Sequence, residues 1–194
     1  MTWIESISRE KATGYLKRLY QTYQRPNRTI ANIFRAHSLR PHTLEGHTAL
    51  YRAVLGHTDN ELPLWYLEAV GLYVSVLNQC NYCIDHHTHA GGLAYPGKAE
   101  TWKTITDALL SDRTDDVFKG KELALLTYAR ILTLDPKSLT AVSIDALREV
   151  GASDSEILEV NQLTSYFAYA NRVVLGLGVT LDGEVQTEQA EIPS

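Results

Sequence analysis

The chain has 194 residues, a formal net charge of −5, 44% hydrophobic residues and 21% charged residues, which together indicate one soluble globular domain with a substantial core. The acidic balance, without a cluster of Lys and Arg, argues against a nucleic-acid-binding surface, and no apolar run approaches the roughly 20 residues of a membrane span. The N-terminal stretch MTWIESISREK lacks the uncharged apolar segment of a signal peptide, so we expect a protein of the reducing cytoplasm.

Helical periodicity runs through nearly the whole sequence and predicts a single all-α domain, residues 1–194, with about eight to ten helices. In chain order, the predicted helices cover residues 8–23, 28–37, 41–56, 63–77, 80–92, 98–110, 115–132, 143–150 and 153–176. The segment from about 181 to 194 is polar, and we expect it to be a mobile tail.

Start and stop signals support several of these helices. Pro41 suits a first helical position, and Gly56 suits the position just after a helix end. Residues 153–156, SDSE, form a capping-box pattern. Ser8 and Asn78 are the predicted N-caps of the first helix and of the helix that begins at the cysteines.

Both cysteines of the chain lie in the segment CNYCIDHH, residues 80–87. On a helix, Cys80, Cys83 and His87 fall at i, i+3 and i+7, within about 60° of one another on one face. In a reducing compartment, a CxxC pair is more typical of catalysis, redox chemistry or metal binding than of a structural disulfide.

These residue types suit thiol chemistry. A helix N-terminus favours the thiolate, and His87 lies one turn beyond Cys83, where it can act as a base or proton relay. A thiolate can attack a peroxide oxygen to give a sulfenic acid, which the neighbouring thiol then converts to a disulfide. Glu68 is the one charged residue in the apolar stretch from Pro63 to Ile84, which suggests a buried carboxylate with a partner.

The register of Glu68, Cys80, Cys83 and His87 resembles the glutamate–CxxC–histidine motif of the alkylhydroperoxidase D-like family, in the carboxymuconolactone decarboxylase superfamily. The phrase LEAVGLYVSVLNQCNYCIDHHTHAG is similar to the motif helices of that family, a core motif of about residues 63–92. The flanking phrases NIFRAHSLRP, YARILTLDP, LREVGASDSEILE and YFAYANRVVLGLGV resemble its peroxidase-related enzyme branch. The resemblance covers about residues 15–181.

The resemblance implies a compact multi-helix fold, assembly as a homo-oligomer (dimer, trimer or hexamer) and peroxidase activity on hydroperoxides. Cys83 would be the peroxidatic thiol and Cys80 the resolving thiol, with Glu68 and His87 as the proton relay. It implies no cofactor and no metal, and a separate dithiol reductant or reductase, because the chain carries no flavin or nicotinamide motif. The best-known members have a second histidine where this chain has Tyr82, and a phenol is not a base near neutral pH.

Two alternatives remain open from the sequence. Cys80, Cys83 and His87 could bind zinc, with His86, His89 or a water as the fourth ligand, in a non-enzymatic redox-sensing or zinc-binding oligomer. Against zinc, these three ligands come from one helix, whereas structural zinc usually joins separate elements. The other alternative is a cysteine-independent lyase or decarboxylase on the same fold, with a glutamate and a histidine as acid and base.

Overall fold

The computed structural model of the protein describes residues 2–24 and 29–184. Within these residues it contains ten α-helices, one 3-10 turn and no strand, which confirms the predicted all-α class. The elements are α1 (Gly14–Tyr23), α2 (Asn32–Ala36), α3 (Pro41–Leu55), α4 (Leu64–Leu77), α5 (Asn81–Ala94), α6 (Ala99–Leu110), α7 (Thr114–Val117), α8 (Gly120–Leu134), the 3-10 turn Pro136–Ser138, α9 (Ala141–Glu149) and α10 (Asp154–Leu177).

Helix α4 is the centre of the fold. Its residues are apolar on nearly every side, and residues 66–75 are all buried, as expected of a helix surrounded by others. It packs most extensively against α5, and then against α10 and α8. The main core joins Leu67 and Val70 of α4 to Leu125 of α8 and Leu163 of α10. Of the helices in the described residues, none combines the length and the apolar character that crossing a membrane requires.

Three of the predicted helix signals are confirmed. Pro41 is the first residue of α3, and Gly56 follows its last residue. At the start of α10, the Ser153 hydroxyl accepts a hydrogen bond from the Glu156 backbone N–H (3.0 Å), and the Glu156 carboxylate accepts one from the Ser153 N–H (2.9 Å). The helix ends at Gly178, whose φ of 60° is a left-handed conformation that suits glycine.

Two helices near the N-terminus are shorter than predicted. Helix α1 begins at Gly14 rather than residue 8, because Ser8 belongs to a turn in which its carbonyl accepts from the Lys11 N–H, and Thr13 is extended. Helix α2 begins at Asn32 rather than residue 28, which lies outside the described residues. The Asn32 backbone N–H and side chain bond to residues 180–184, and these contacts fix the extended backbone before the helix.

Two further boundaries differ from the prediction. The predicted helix 115–132 is divided into α7 and α8, because Phe118 is extended and its ring is buried against Trp65 and Tyr66. Asn78 ends α4 rather than capping α5, and the N-cap of α5 is Cys80. The sequence predicted no break near Phe118, because the burial of its ring, a tertiary contact, decides this break.

Candidate active site

The α4–α5 hairpin positions all four predicted site residues. Gln79, in the left-handed region at φ 58°, reverses the chain between the two helices. Glu68 lies on α4, Cys80 caps α5, and Cys83 and His87 lie within the first two turns of α5. The fractional exposures of these four residues are 1%, 0%, 4% and 9% in that order. The four therefore lie in the interior, between α4, α5 and α10.

The four residues form two pairs. The sulfur atoms of Cys80 and Cys83 are 2.8 Å apart and share a hydrogen bond, and both thiols are free. Nδ1 of His87 lies 2.6 Å from Oε2 of Glu68. Because a carboxylate can only accept, Nδ1–H donates this bond, and Nε2 is the ring nitrogen that takes no part in it.

The two thiols differ in acidity. The hydrogen bond from Cys83, helped by the Asn171 amide, holds the pKa of Cys80 below its ordinary value although burial opposes it. The pKa of Cys83 is raised well above its ordinary value by the hydrogen bond with Cys80, by burial and by the charge of Cys80. The first proton lost by the pair therefore leaves a thiolate on Cys80, with Cys83 as the hydrogen-bond donor.

A buried polar network that was not among the predicted site residues lies beside the thiols. Asn171 of α10 is fully buried; its side-chain N–H donates to the Ser75 hydroxyl (3.1 Å), and its carbonyl accepts from the Asn78 amide (2.9 Å). Hydrogen bonds from Asn171 lower the pKa of both thiols, and one from Ser75 lowers that of Cys83. The signal that could have found these residues is their polarity within otherwise apolar helices.

The aromatic ring of Phe167 packs against His87 and limits the positions that the imidazole can adopt. The edge of the Phe167 ring faces the His87 ring at a centroid distance of 4.6 Å. Phe167 approaches α4 at Gly71, where an added Cβ would lie only 2.4 Å from the ring. Gly71 is one helical turn after Glu68, so the same stretch of α4 supplies both the carboxylate and the space for the aromatic ring.

Tyr82, which lies between the two cysteines in the sequence, is engaged away from the Glu68–His87 pair. Its hydroxyl donates to Oε1 of Glu184 (2.8 Å) and accepts from the Ile33 backbone N–H (3.2 Å), while its ring packs on His86 at 4.5 Å. The Glu184 side chain is thus buried and bonded, although it lies in the segment expected to be a polar tail. Residues 185–194 of that predicted tail lie outside the described residues.

The described residues contain no group of three or more His, Cys, Asp or Glu placed to hold a metal ion. His87 is bonded to Glu68, and His86 lies against Glu184, which gives the zinc alternative no support in the part of the chain that the structure covers. The arrangement is a buried dithiol beside a glutamate–histidine pair. Such a site can supply two electrons and two protons to an acceptor.

Comparison with known proteins agrees on the fold. No family model matches the sequence, and no curated protein matches it. The alkylhydroperoxidase AhpD core of an uncharacterized peroxidase-related protein from Ralstonia eutropha JMP134 matches with a TM-score of 0.73 and 20% identity, over 91% of this chain and 93% of that one. A peroxidase-related protein from Silicibacter sp. TM1040 matches with a TM-score of 0.72 and 19% identity, over 84% and 83%.

A third similar structure is a cysteine-to-alanine variant of the debrominase Bmp8 in complex with 2,3,4-tribromopyrrole. Its TM-score is 0.72 at 16% identity, over 94% of this chain and 93% of that one. The chain therefore has the alkylhydroperoxidase D-like fold, on which proteins described as peroxidase-related and as a debrominase are both found.

Proposed function

We propose that this protein is a thiol-dependent peroxidase that reduces hydroperoxides through a cycle between the Cys80–Cys83 dithiol and its disulfide. The observation that carries the proposal is the pairing of the two sulfurs, 2.8 Å apart, on the same hairpin as the hydrogen-bonded Glu68–His87 pair. A dithiol at this separation closes to a disulfide with little movement of the backbone. The glutamate–histidine pair supplies the proton transfers.

The proposed reaction consumes one hydroperoxide and both thiols. The Cys83 thiolate attacks the terminal peroxide oxygen, so an S–O bond forms, the O–O bond breaks, and the alkoxide leaves as an alcohol after taking a proton from His87. Cys80 then attacks the Cys83 sulfur, so the S–S bond forms and the S–O bond breaks, and the hydroxide leaves as water after taking the proton that the Cys80 thiol releases. The peroxide is reduced by two electrons and the dithiol is oxidised by two.

The thiols must be restored by an external dithiol, a small molecule or a reductase, which reduces the protein disulfide and is itself oxidised. Tyr82 has no part in this scheme because its hydroxyl is bonded to Glu184.

The attacking sulfur can be identified by experiment. The resemblance implies attack by Cys83, whereas the acidity of the pair favours the thiolate on Cys80. For Cys83 to attack, its proton must first pass to the shared hydrogen bond or to His87. In Cys80→Ser, a dimedone adduct on Cys83 after one addition of hydroperoxide supports Cys83 as the nucleophile. An adduct that forms only in Cys83→Ser, on Cys80, would reverse the two roles.

The proposal is tested by measuring hydroperoxide consumption with dithiothreitol as the reductant. We expect turnover in the wild type and none in Cys83→Ser, with Ser111→Ala, remote from the site, as the control. Unchanged peroxide consumption in Cys83→Ser would refute the proposal, and activity that survives loss of both cysteines would indicate acid–base chemistry by Glu68 and His87. Stoichiometric zinc that blocks thiol titration would indicate a metal-binding protein instead.

A carbon–bromine bond is the second candidate acceptor, favoured by the similarity in fold to a debrominase. A dithiol can replace bromine by hydrogen, since two thiols and one bromoarene give one disulfide, the debrominated arene and hydrogen bromide. Incubation of the reduced protein with 2,3,4-tribromopyrrole, followed by bromide release, compares this reaction with peroxide reduction.

A further inference from the structure

The end of the described chain packs in the same apolar cluster as the dithiol. Val179 and Leu181 pack with Ile33 of α2 and Leu177 of α10 in one apolar cluster that includes both cysteines. We call residues 179–184 the C-terminal cover. Because Cys80 is fully buried and Cys83 is 4% exposed, a reactant larger than water cannot reach either sulfur with the cover in place.

A single carboxylate, that of Glu184, fastens the last residue of the cover. The Glu184 side chain is only 2% exposed, and its Oε1 accepts from the Tyr82 hydroxyl (2.8 Å) and from the Asn32 backbone N–H. Its Oε2 lies 3.2 Å from Nε2 of His86. Burial raises the pKa of Glu184, but His86, Asn32 and Tyr82 together hold that pKa below its ordinary value, so the carboxylate is charged at neutral pH.

The rest of the cover is attached through the side chain of Asn32 and at the end of α10. The Asn32 side-chain amide donates to the carbonyls of Thr180 (2.8 Å) and Asp182 (3.1 Å), and both residues are exposed. At the other end, the cover follows Gly178, which is left-handed, at the end of α10. Trp3 packs on Gly178, where an added Cβ would lie 2.1 Å from the indole ring. The Trp3 backbone N–H donates to the Leu177 carbonyl (2.8 Å), and this bond holds the end of α10 from which the cover extends.

We infer that the C-terminal cover opens to admit the reactants of the dithiol, and that Glu184 determines their size by holding it closed. This inference rests on the proposed function, because it assumes that an external molecule must reach the sulfurs. Tyr82 then has a role, because its hydroxyl donates to the Glu184 carboxylate that holds the cover closed. A small oxidant passes through brief local openings, whereas a bulky one requires release of the whole segment.

Glu184→Gln tests the inference because the amide keeps the volume and removes the charge. Replacement of charge-assisted hydrogen bonds by neutral ones should raise the open population roughly tenfold. The reduced protein is treated with dithiobis(nitrobenzoate), a bulky thiol reagent, and with iodoacetamide, a small one. Asp182→Asn is the matched control, because it removes the same charge from the same segment, and the Asp182 carboxylate bonds within the cover, to Thr180 (2.7 Å).

We expect the rate with the bulky reagent to rise about tenfold in Glu184→Gln, more than the rate with iodoacetamide, and to stay at the wild-type value in Asp182→Asn. Tyr82→Phe, which loses one hydrogen bond to the Glu184 carboxylate, should show a smaller increase in the rate with the bulky reagent. Unchanged rates in both Glu184→Gln and Tyr82→Phe would overturn the inference, and if Glu184→Gln does not fold, Tyr82→Phe decides.

Substrate size is tested separately with two hydroperoxides. The ratio of the rate with cumene hydroperoxide to that with hydrogen peroxide should rise in Glu184→Gln, and an unchanged ratio would remove the role of Glu184 in size selection. Reaction with thiol reagents requires no peroxidase activity. The inference about the cover can therefore be refuted while the proposed function holds, and the proposed function can be refuted while the inference holds.

Discussion

The hydrogen bond between Glu68 and His87 offers the sharpest test of the proton relay. Glu68→Gln keeps the shape of the side chain and removes its charge. The glutamate is buried, and its carboxylate is the partner of His87 Nδ1 at 2.6 Å. In the proposed mechanism His87 carries a proton from the thiol to the leaving oxygen, so the carboxylate stabilises the imidazolium at that stage. The substitution should slow thiol oxidation without removing either thiol.

The geometry sets the size of this effect. Coulomb's law with an effective dielectric constant of about 20 gives roughly 6 kcal/mol of attraction for unit charges 2.6 Å apart. Desolvation offsets much of this attraction, and charge-assisted hydrogen bonds measured by substitution contribute about 1.5–3 kcal/mol. A loss of about 2 kcal/mol in the transition state corresponds to a rate reduction of roughly thirtyfold.

The assay is a single-turnover reaction of the reduced protein with excess hydroperoxide, followed by titration of the remaining thiols. Glu156→Gln is the control, because Glu156 is also a buried glutamate in an ion pair, with Lys121 at 2.5 Å, but it belongs to the capping box of α10. It should lower stability and leave the oxidation rate unchanged. Wild-type oxidation kinetics in Glu68→Gln would refute the relay.

Three further predictions concern the surroundings of the site. Asn171→Leu removes hydrogen bonds that lower the pKa of both thiols, so the pH profile of alkylation by iodoacetamide should move to higher pH. Gly71→Ala forces a methyl group against Phe167 and should cost about 1–3 kcal/mol in urea unfolding. Burial, with His37 nearby, lowers the pKa of His47 to about 3, so its contribution to stability should fall by about 2 kcal/mol between pH 7.5 and 5; this loss should be absent in His47→Leu.

The sign of the His47 prediction follows from the two states of the protein. The folded histidine stays neutral throughout this range, whereas the unfolded one takes up a proton below its ordinary pKa of about 6.5. The unfolded state therefore binds more protons as the pH falls, and stability decreases. Equal pH dependence of unfolding in the wild type and His47→Leu would show that the pKa of His47 is the same in the folded and unfolded states, which would contradict the prediction.

The helical pattern was sufficient to predict the fold class, because the apolar residues of α1, α3 and α6 follow a helical repeat and the ends of α3 and α10 carry strong local signals. It failed where distant contacts decide the backbone. The burial of Phe118 divides one predicted helix, and the bonds from Asn32 to the C-terminal cover delay the start of another. Neither contact leaves a periodic trace in the sequence.

The candidate site shows the same division. The spacing of Cys80, Cys83 and His87 predicts one helical face, and the structure places Cys83 and His87 in α5 with Cys80 as its N-cap, just before the helix. The isolated charge of Glu68 predicts a buried carboxylate with a partner, and Glu68 is buried and bonded to His87. Asn171 could not be predicted as a support for the thiols, because its place beside them depends on the packing of α10 against the hairpin. Glu184 lies in a polar segment, and nothing local distinguishes its buried carboxylate from an exposed one.

The central claim is that one hydroperoxide oxidises both cysteines of one chain to a disulfide. The most direct measurement adds one equivalent of hydroperoxide to the reduced protein, and then counts the free thiols and determines the mass of the intact chain. The account predicts the loss of both thiols, a mass lower by the two thiol hydrogens, one equivalent of alcohol and no disulfide-linked dimer. Peroxide consumption with both thiols still free, or oxidation that links two chains, would contradict it.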